Sequence, residues 1–90
     1  MTWWCYIVRC VDGTLYTGIT NDLDKRIDAH NAGTASKYTR VRRPVELTYL
    51  EQFPDRSEAS KREAAIKRLS REAKLTLANI PLPAETLGKG

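Results

Sequence analysis

The chain holds only one histidine and two cysteines in 90 residues. That scarcity argues against zinc sites of the usual kind, which draw their ligands from several closely spaced Cys and His residues. Cys5 and Cys10 both fall in the run WWCYIVRC. If that run is one extended strand, the two thiols stand roughly 16 Å apart, far outside disulfide reach. Both are expected to be reduced and structural, as in a cytoplasmic protein. Long apolar runs are absent as well, so no segment reads as a membrane helix. The opening Met1-Thr2-Trp3-Trp4 lacks the basic-then-apolar layout of a secretion signal.

A chain of this length makes one domain with a modest core. The expected domain covers residues 1–80, with residues 81–90 as a flexible tail that Pro81 and Pro83 begin. The net charge of +4, from 15 Lys and Arg against 11 Asp and Glu, leans toward anionic partners. Lys37, Arg40, Arg42 and Arg43 crowd into one short stretch, and Lys61, Arg62, Lys67, Arg68, Arg71 and Lys74 stud a later one. Each run by itself is ordinarily a solvated face.

Aromatic and β-branched residues in WWCYIVRC and TLYTGI predict two strands joined at Asp12-Gly13. A two-residue turn there puts Tyr6 and Tyr16 on opposite faces. A three-residue turn with Gly13 left-handed puts both, with Val8 and Gly18, on the same face. The residues alone permit either. Thr20 or Asn21 can cap a helix to about Asn31, which Gly33 can end. On it Leu23, Arg26, Ile27 and His30 fill an arc of about 100°. Residues 34–43 read as a basic loop containing Tyr38. VELTYLEQF mostly alternates, which predicts a third strand with Val45, Leu47, Tyr49 and Phe53 on a single buried face. Asp55 with Glu58 resembles a capping box. The helix that follows is expected to bury Ala59, Ile66 and Leu69, and Ser70 can break it and cap a last helix over residues 71–79. The fold class is α+β: a small three-stranded antiparallel sheet flanked by helices, in the order β-β-α-β-α-α.

Parity pushes Tyr6, Tyr16, Arg26, His30 and Glu63 toward the core or its rim. Singly, each has a structural explanation: a core phenol with one hydrogen bond, an arginine stem lying on the sheet, a satisfied histidine, a Glu63–Lys67 surface pair. Together they are what phosphodiester cleavage needs. A base must deprotonate water, a fixed cation must meet the growing charge, and a carboxylate can hold one magnesium ion. A phenol is a poor base unaided, since its ordinary pKa is about 10.

At these residues the chain resembles the GIY-YIG nuclease superfamily, in particular its short single-domain bacterial members. The likeness rests on Tyr6-Ile7-Val8, on Leu15-Tyr16-Thr17-Gly18-Ile19-Thr20-Asn21-Asp22-Leu23 with Arg26 and His30, and on Arg62-Glu63 with Ile66-Lys67. It spans roughly residues 3–79. It departs from the family name at Trp4-Cys5-Tyr6, where the family name has Gly-Ile-Tyr, and at Thr17 in place of Ile. Asn79 is the only final-helix asparagine, and its spacing from Glu63 fits the family poorly.

The resemblance implies that Tyr6 and Tyr16 share a face, which selects the three-residue turn. It implies Tyr6 as general base, Tyr16 and His30 as aids to proton movement or phosphate holding, and Arg26 as stabiliser of the transition state. Glu63 would be the sole protein ligand to Mg²⁺ or Mn²⁺. Gly18 would leave an open patch where phosphate can approach, and Lys37, Tyr38, Arg40, Arg42 and Arg43 would meet the nucleic-acid backbone. The function implied is a divalent-metal-dependent DNA endonuclease, structure-specific, in repair or recombination, with a protein partner to supply specificity. The alternative is a nucleic-acid-binding module whose nuclease site is idle.

Overall fold

The computed structural model describes residues 2–82. Residues 83–90, most of the expected tail, lie outside the described residues. Strand β1 (Trp3–Cys10) is central, with β2 (Leu15–Thr20) on one side and β3 (Val45–Phe53) on the other, both antiparallel to it. Helix α1 (Leu23–Ala32) follows β2, and a short α2 (Lys37–Arg40) precedes β3. Helices α3 (Arg56–Lys67) and α4 (Arg71–Ala78) complete the chain. Among the described residues, no helix is long and apolar enough to cross a membrane.

The β1–β2 turn takes the three-residue form. Gly13 adopts φ 85°, and the Cys10 amide donates to the Thr14 carbonyl at 2.8 Å. Tyr6 therefore stands opposite Gly18 and Val8 opposite Tyr16, so both tyrosines project from one face. Asp12 Oδ1 braces the turn by accepting from the amide and hydroxyl of Thr14.

Both faces of the sheet are covered, and this corrects the expectation of one buried face on β3. Tyr6, Val8, Cys10, Val45 and Leu50 form one core, against which Leu23 and Ile27 of α1 pack, together with Leu82. Cys5, Ile7, Tyr49 and Ile66 form the other, with Phe53 and Leu77 of α4. The predicted alternation of Val45, Leu47, Tyr49 and Phe53 fails at Thr48. Ile7 pairs with Tyr49 but Val8 pairs with Leu47, so β3 carries one extra residue. This bulge sends Tyr49 and Phe53 to the face opposite Val45 and Leu47. The buried Thr48 hydroxyl donates to the Ile7 carbonyl at 3.2 Å.

The helix ends follow local hydrogen bonding. Asp22, not Thr20 or Asn21, caps α1, accepting from the Lys25 amide. Thr20 stays in β2, where its hydroxyl oxygen accepts from the Asp22 amide. Gly33 ends α1 at φ 85°. Asn31 ties that end to the sheet, its amide exchanging two hydrogen bonds with the Val45 backbone. The segment 34–43 is not all loop, because Ser36 caps α2 by accepting from the amides of Tyr38 and Thr39. Asp55 caps α3 and Ser70 caps α4. Leu69 is 37% exposed, against expectation, because α3 ends two residues earlier and leaves it in the turn.

Candidate active site

Strand β1 delivers Tyr6 to the face that α1 covers. Its hydroxyl lies 2.8 Å from His30 Nε2 and accepts from Arg26 Nε at 3.3 Å. One helical turn separates Arg26 from His30, so both reach the same phenol. On the far side of the imidazole, Nδ1 lies 2.9 Å from Thr39 Oγ1. Tyr6, His30 and Thr39 are all completely buried. Tyr16 packs edge-on against His30, with centroids 5.3 Å apart, and stacks on Tyr38 at 6.0 Å.

The electrostatics follow from this burial. Desolvation pushes the Tyr6 pKa above its ordinary value, against the hydrogen bond and charge of Arg26. Burial, and then the Arg26 charge, pull His30 below the usual imidazole range. Both causes favour the neutral form of the ring. Arg26 gains from Tyr6 and stays charged.

A cleft of about 340 Å³ opens along the edge of β2, lined by Trp3, Tyr16, Gly18, Thr20, Asn21, Arg26, Arg56 and Glu63. It joins the two faces of the sheet: Arg26 reaches it from α1, and Glu63 from α3 on the opposite face. Gly18 forms part of its wall with Tyr6 directly behind. A methyl group at Gly18 would stand 2.5 Å from Tyr6 Oη. The space over this glycine, expected as an open patch for phosphate, is filled by the phenol itself. Among the described residues, the terminal nitrogens of Arg26 make no further hydrogen bond.

Glu63 is half-buried and lies 3.3 Å from Lys67 Nζ. Among the described residues, no three His, Cys, Asp or Glu side chains gather as a metal cluster. A single cleft carboxylate suits a hard ion that keeps most of its own waters, as Mg²⁺ does, and suits a dehydrating ion poorly. Helix α3 is held to β3 by Arg62, whose Nε donates to Glu51 Oε1 at 2.9 Å, while Tyr49 donates to the same oxygen. Cys5, buried nearby, has its pKa pushed up to about 11 by burial and then by the charge of Glu63.

The basic segment divides. Lys37 and Arg40 are exposed, and Tyr38 is part-exposed beside Tyr16. Arg42 is bound into the fold. It lies 3.2 Å from Asp12, donates to the Tyr38 carbonyl and covers the Tyr38 ring at 4.0 Å. Arg43 donates to the carbonyls of Arg40 and Asn31. Asn79 caps α4 and is not among the residues lining the cleft. Sequence reasoning missed Thr39, Asn21 and Arg56. For Thr39 the only signal was Ser36, three residues earlier, as a cap for a short helix that would bury it.

A family model for the GIY-YIG catalytic domain matches residues 2–76. The chain belongs to the GIY-YIG superfamily. This GIY-YIG domain is 57% identical over 72 residues to a UPF0213 protein of Staphylococcus saprophyticus, covering 80% of this chain and 88% of that one. It is 59% identical over 76 residues to a UPF0213 protein of Desulfotalea psychrophila, covering 83% and 69%. Among solved structures, it resembles a UPF0213 protein of Bacillus halodurans, with 44% identity, a TM-score of 0.55 and coverage of 86% and 82%. It also resembles a protein of E. faecalis at 45% identity and TM-score 0.58, covering 82% and 79%. The GIY-YIG superfamily is a nuclease superfamily, and its three-stranded antiparallel sheet with flanking helices is the fold described above.

Proposed function

We propose that this chain is a divalent-metal-dependent endonuclease that hydrolyses phosphodiester bonds in DNA, reading structure rather than sequence, with a role in repair or recombination. The carrying observation is the 2.8 Å approach of Tyr6 Oη to His30 Nε2 beneath a cleft that Arg26 and Glu63 enter from opposite faces of the sheet. Membership of a nuclease superfamily supports the same reading.

In this mechanism Arg26 exchanges its 3.3 Å contact with a neutral phenol for a phosphate oxygen pair, which its planar fork fits better. That movement uncovers Tyr6. Water gives a proton to Tyr6 Oη as the Tyr6 proton passes to His30 Nε2, so the phenol relays the proton without a free phenolate. The water oxygen then bonds to phosphorus as the bond to the leaving oxygen breaks. Arg26 meets the charge that develops on the non-bridging oxygens. Tyr16, on the cleft wall, holds the scissile phosphate. Glu63 would hold Mg²⁺ or Mn²⁺, which supplies charge stabilisation at the leaving oxygen. Lys37, Tyr38 and Arg40 contact the backbone beyond the scissile bond, and a protein partner supplies the specificity that this small surface lacks.

The test is cleavage of supercoiled plasmid and of branched duplexes with Mg²⁺ or Mn²⁺. Arg26→Ala is expected to lower the rate about 100-fold or more, and Glu63→Ala to abolish the metal-dependent cleavage. Cleavage that both variants retain overturns the reading. The Glu63–Lys67 pair at 3.3 Å favours one alternative, a nucleic-acid-binding module with an idle site. Salt-sensitive binding with no cleavage of any substrate selects it.

A further inference from the structure

The hydrogen-bond network around His30 fixes where its protons lie. Tyr6 is wholly buried, and its oxygen already accepts from Arg26 Nε at 3.3 Å. Its own proton must go to an acceptor, and among the described residues the one within reach is His30 Nε2 at 2.8 Å. Nε2 must then be bare, and the ring proton sits on Nδ1, 2.9 Å from Thr39 Oγ1. Thr39 can accept it because its own hydroxyl proton has another destination, the Ser36 carbonyl at 3.4 Å, one turn back along α2. Arg26 Nε, Tyr6 Oη, His30 Nδ1 and Thr39 Oγ1 then each donate to the next member of the chain, ending at the Ser36 carbonyl. Reversing the chain gives Nε2 the proton, loads Tyr6 Oη with two donors and leaves the phenol proton without an acceptor in a dry interior.

We infer that Thr39 is a positioning residue that holds His30 as the Nδ1–H tautomer, so that the bare Nε2 faces Tyr6 as proton acceptor. Its oxygen rotates only within a first helical turn capped by Ser36. The segment is locked on its far side by Arg42 against Asp12 and by Arg43 against the Asn31 carbonyl. The fold thus presents one fixed acceptor to Nδ1, and His30 is fully buried, so water does not take its place. The inference matters for catalysis through the proposed function, yet the tautomer itself is measurable whether or not the protein cuts DNA.

Because His30 is the only histidine, nitrogen-detected NMR of a ¹⁵N-histidine-labelled sample reports it without assignment. Above the imidazole titration, the expected spectrum shows Nδ1 protonated and Nε2 bare, in about tenfold excess or more over the other tautomer. Thr39→Ser is expected to keep that pattern, and Thr39→Val, which has the same shape without the hydroxyl, to lose the excess. Tyr6→Phe tests the same point from the other side: with Thr39 in control, Nδ1 stays protonated when the phenol is gone. A protonated Nε2 in the unaltered chain overturns the inference. So does a Thr39→Val spectrum that keeps the Nδ1–H excess, or a Tyr6→Phe spectrum that switches. Should Thr39→Val fail to fold, the unaltered chain and Tyr6→Phe decide it.

Discussion

Tyr6 Oη and Gly18 are partners across β1 and β2, and the phenol occupies the volume that any β-carbon at Gly18 would need. The ideal Cβ would stand 2.5 Å from Oη and 2.7 Å from Cζ. Backbone freedom is not what selects glycine at this position. The selecting factor is the close approach of a buried aromatic ring.

Gly18→Ala is therefore expected to push the Tyr6 ring off its 2.8 Å contact with His30. The cost of such overpacking is about 1–3 kcal/mol. Urea unfolding measures the loss, and the His30 ring nitrogens report the broken contact. An unchanged midpoint with unchanged nitrogen shifts would place the ring elsewhere.

Stability is expected to fall on mild acidification, through His30. Its folded pKa lies below the ordinary 6.5 because of burial and the Arg26 charge. Between those two values the unfolded chain binds more protons than the folded one, so stability rises with pH there. The contribution is fully present above about pH 6.5 and is lost as pH falls toward the folded value, where it levels off. Unfolding midpoints at about pH 7.5 and 5.5, compared with those of a folded His30→Gln variant, isolate it. Equal slopes in both proteins would assign the dependence to other groups.

Glu63→Gln keeps the size of the side chain and removes its charge. Mn²⁺ line broadening in NMR spectra of the unaltered chain is expected to centre on the cleft between Gly18 and Glu63. The variant should bind at least roughly tenfold more weakly, since losing a group that merely supports a ligand already costs that much. Equal affinity in both proteins would remove Glu63 from metal binding.

Arg56 lines the cleft, its guanidinium 5.7 Å from the centre of the Trp3 ring. It is a cation in the same cleft as Arg26 and Glu63. Arg56→Ala is expected to weaken DNA binding and to reduce the slope of log affinity against log salt by about 1, as loss of one phosphate contact does. Arg42→Ala should differ. Arg42 is tied to Asp12 and Tyr38, so its loss lowers the unfolding midpoint more than the salt slope.

Much of this architecture was legible because it is local. Gly33 as helix stop, Asp55 with Glu58, and Ser70 as breaker and cap all act within three or four residues of themselves, where hydrogen-bond geometry depends on little else. The helical arc of Leu23, Arg26, Ile27 and His30 is legible for the same reason, since its period belongs to the backbone. The bulge at Thr48 was not legible, because it arises when two faces of one strand must be filled from opposite sides at once. Nor was the meeting of Thr39 with His30, or the retention of Arg42 and Arg43 by backbone carbonyls. Residue types set which groups are able to bond. Which of them do is decided by burial, which removes water as a competitor and leaves each polar atom only the partners the packed chain brings within reach.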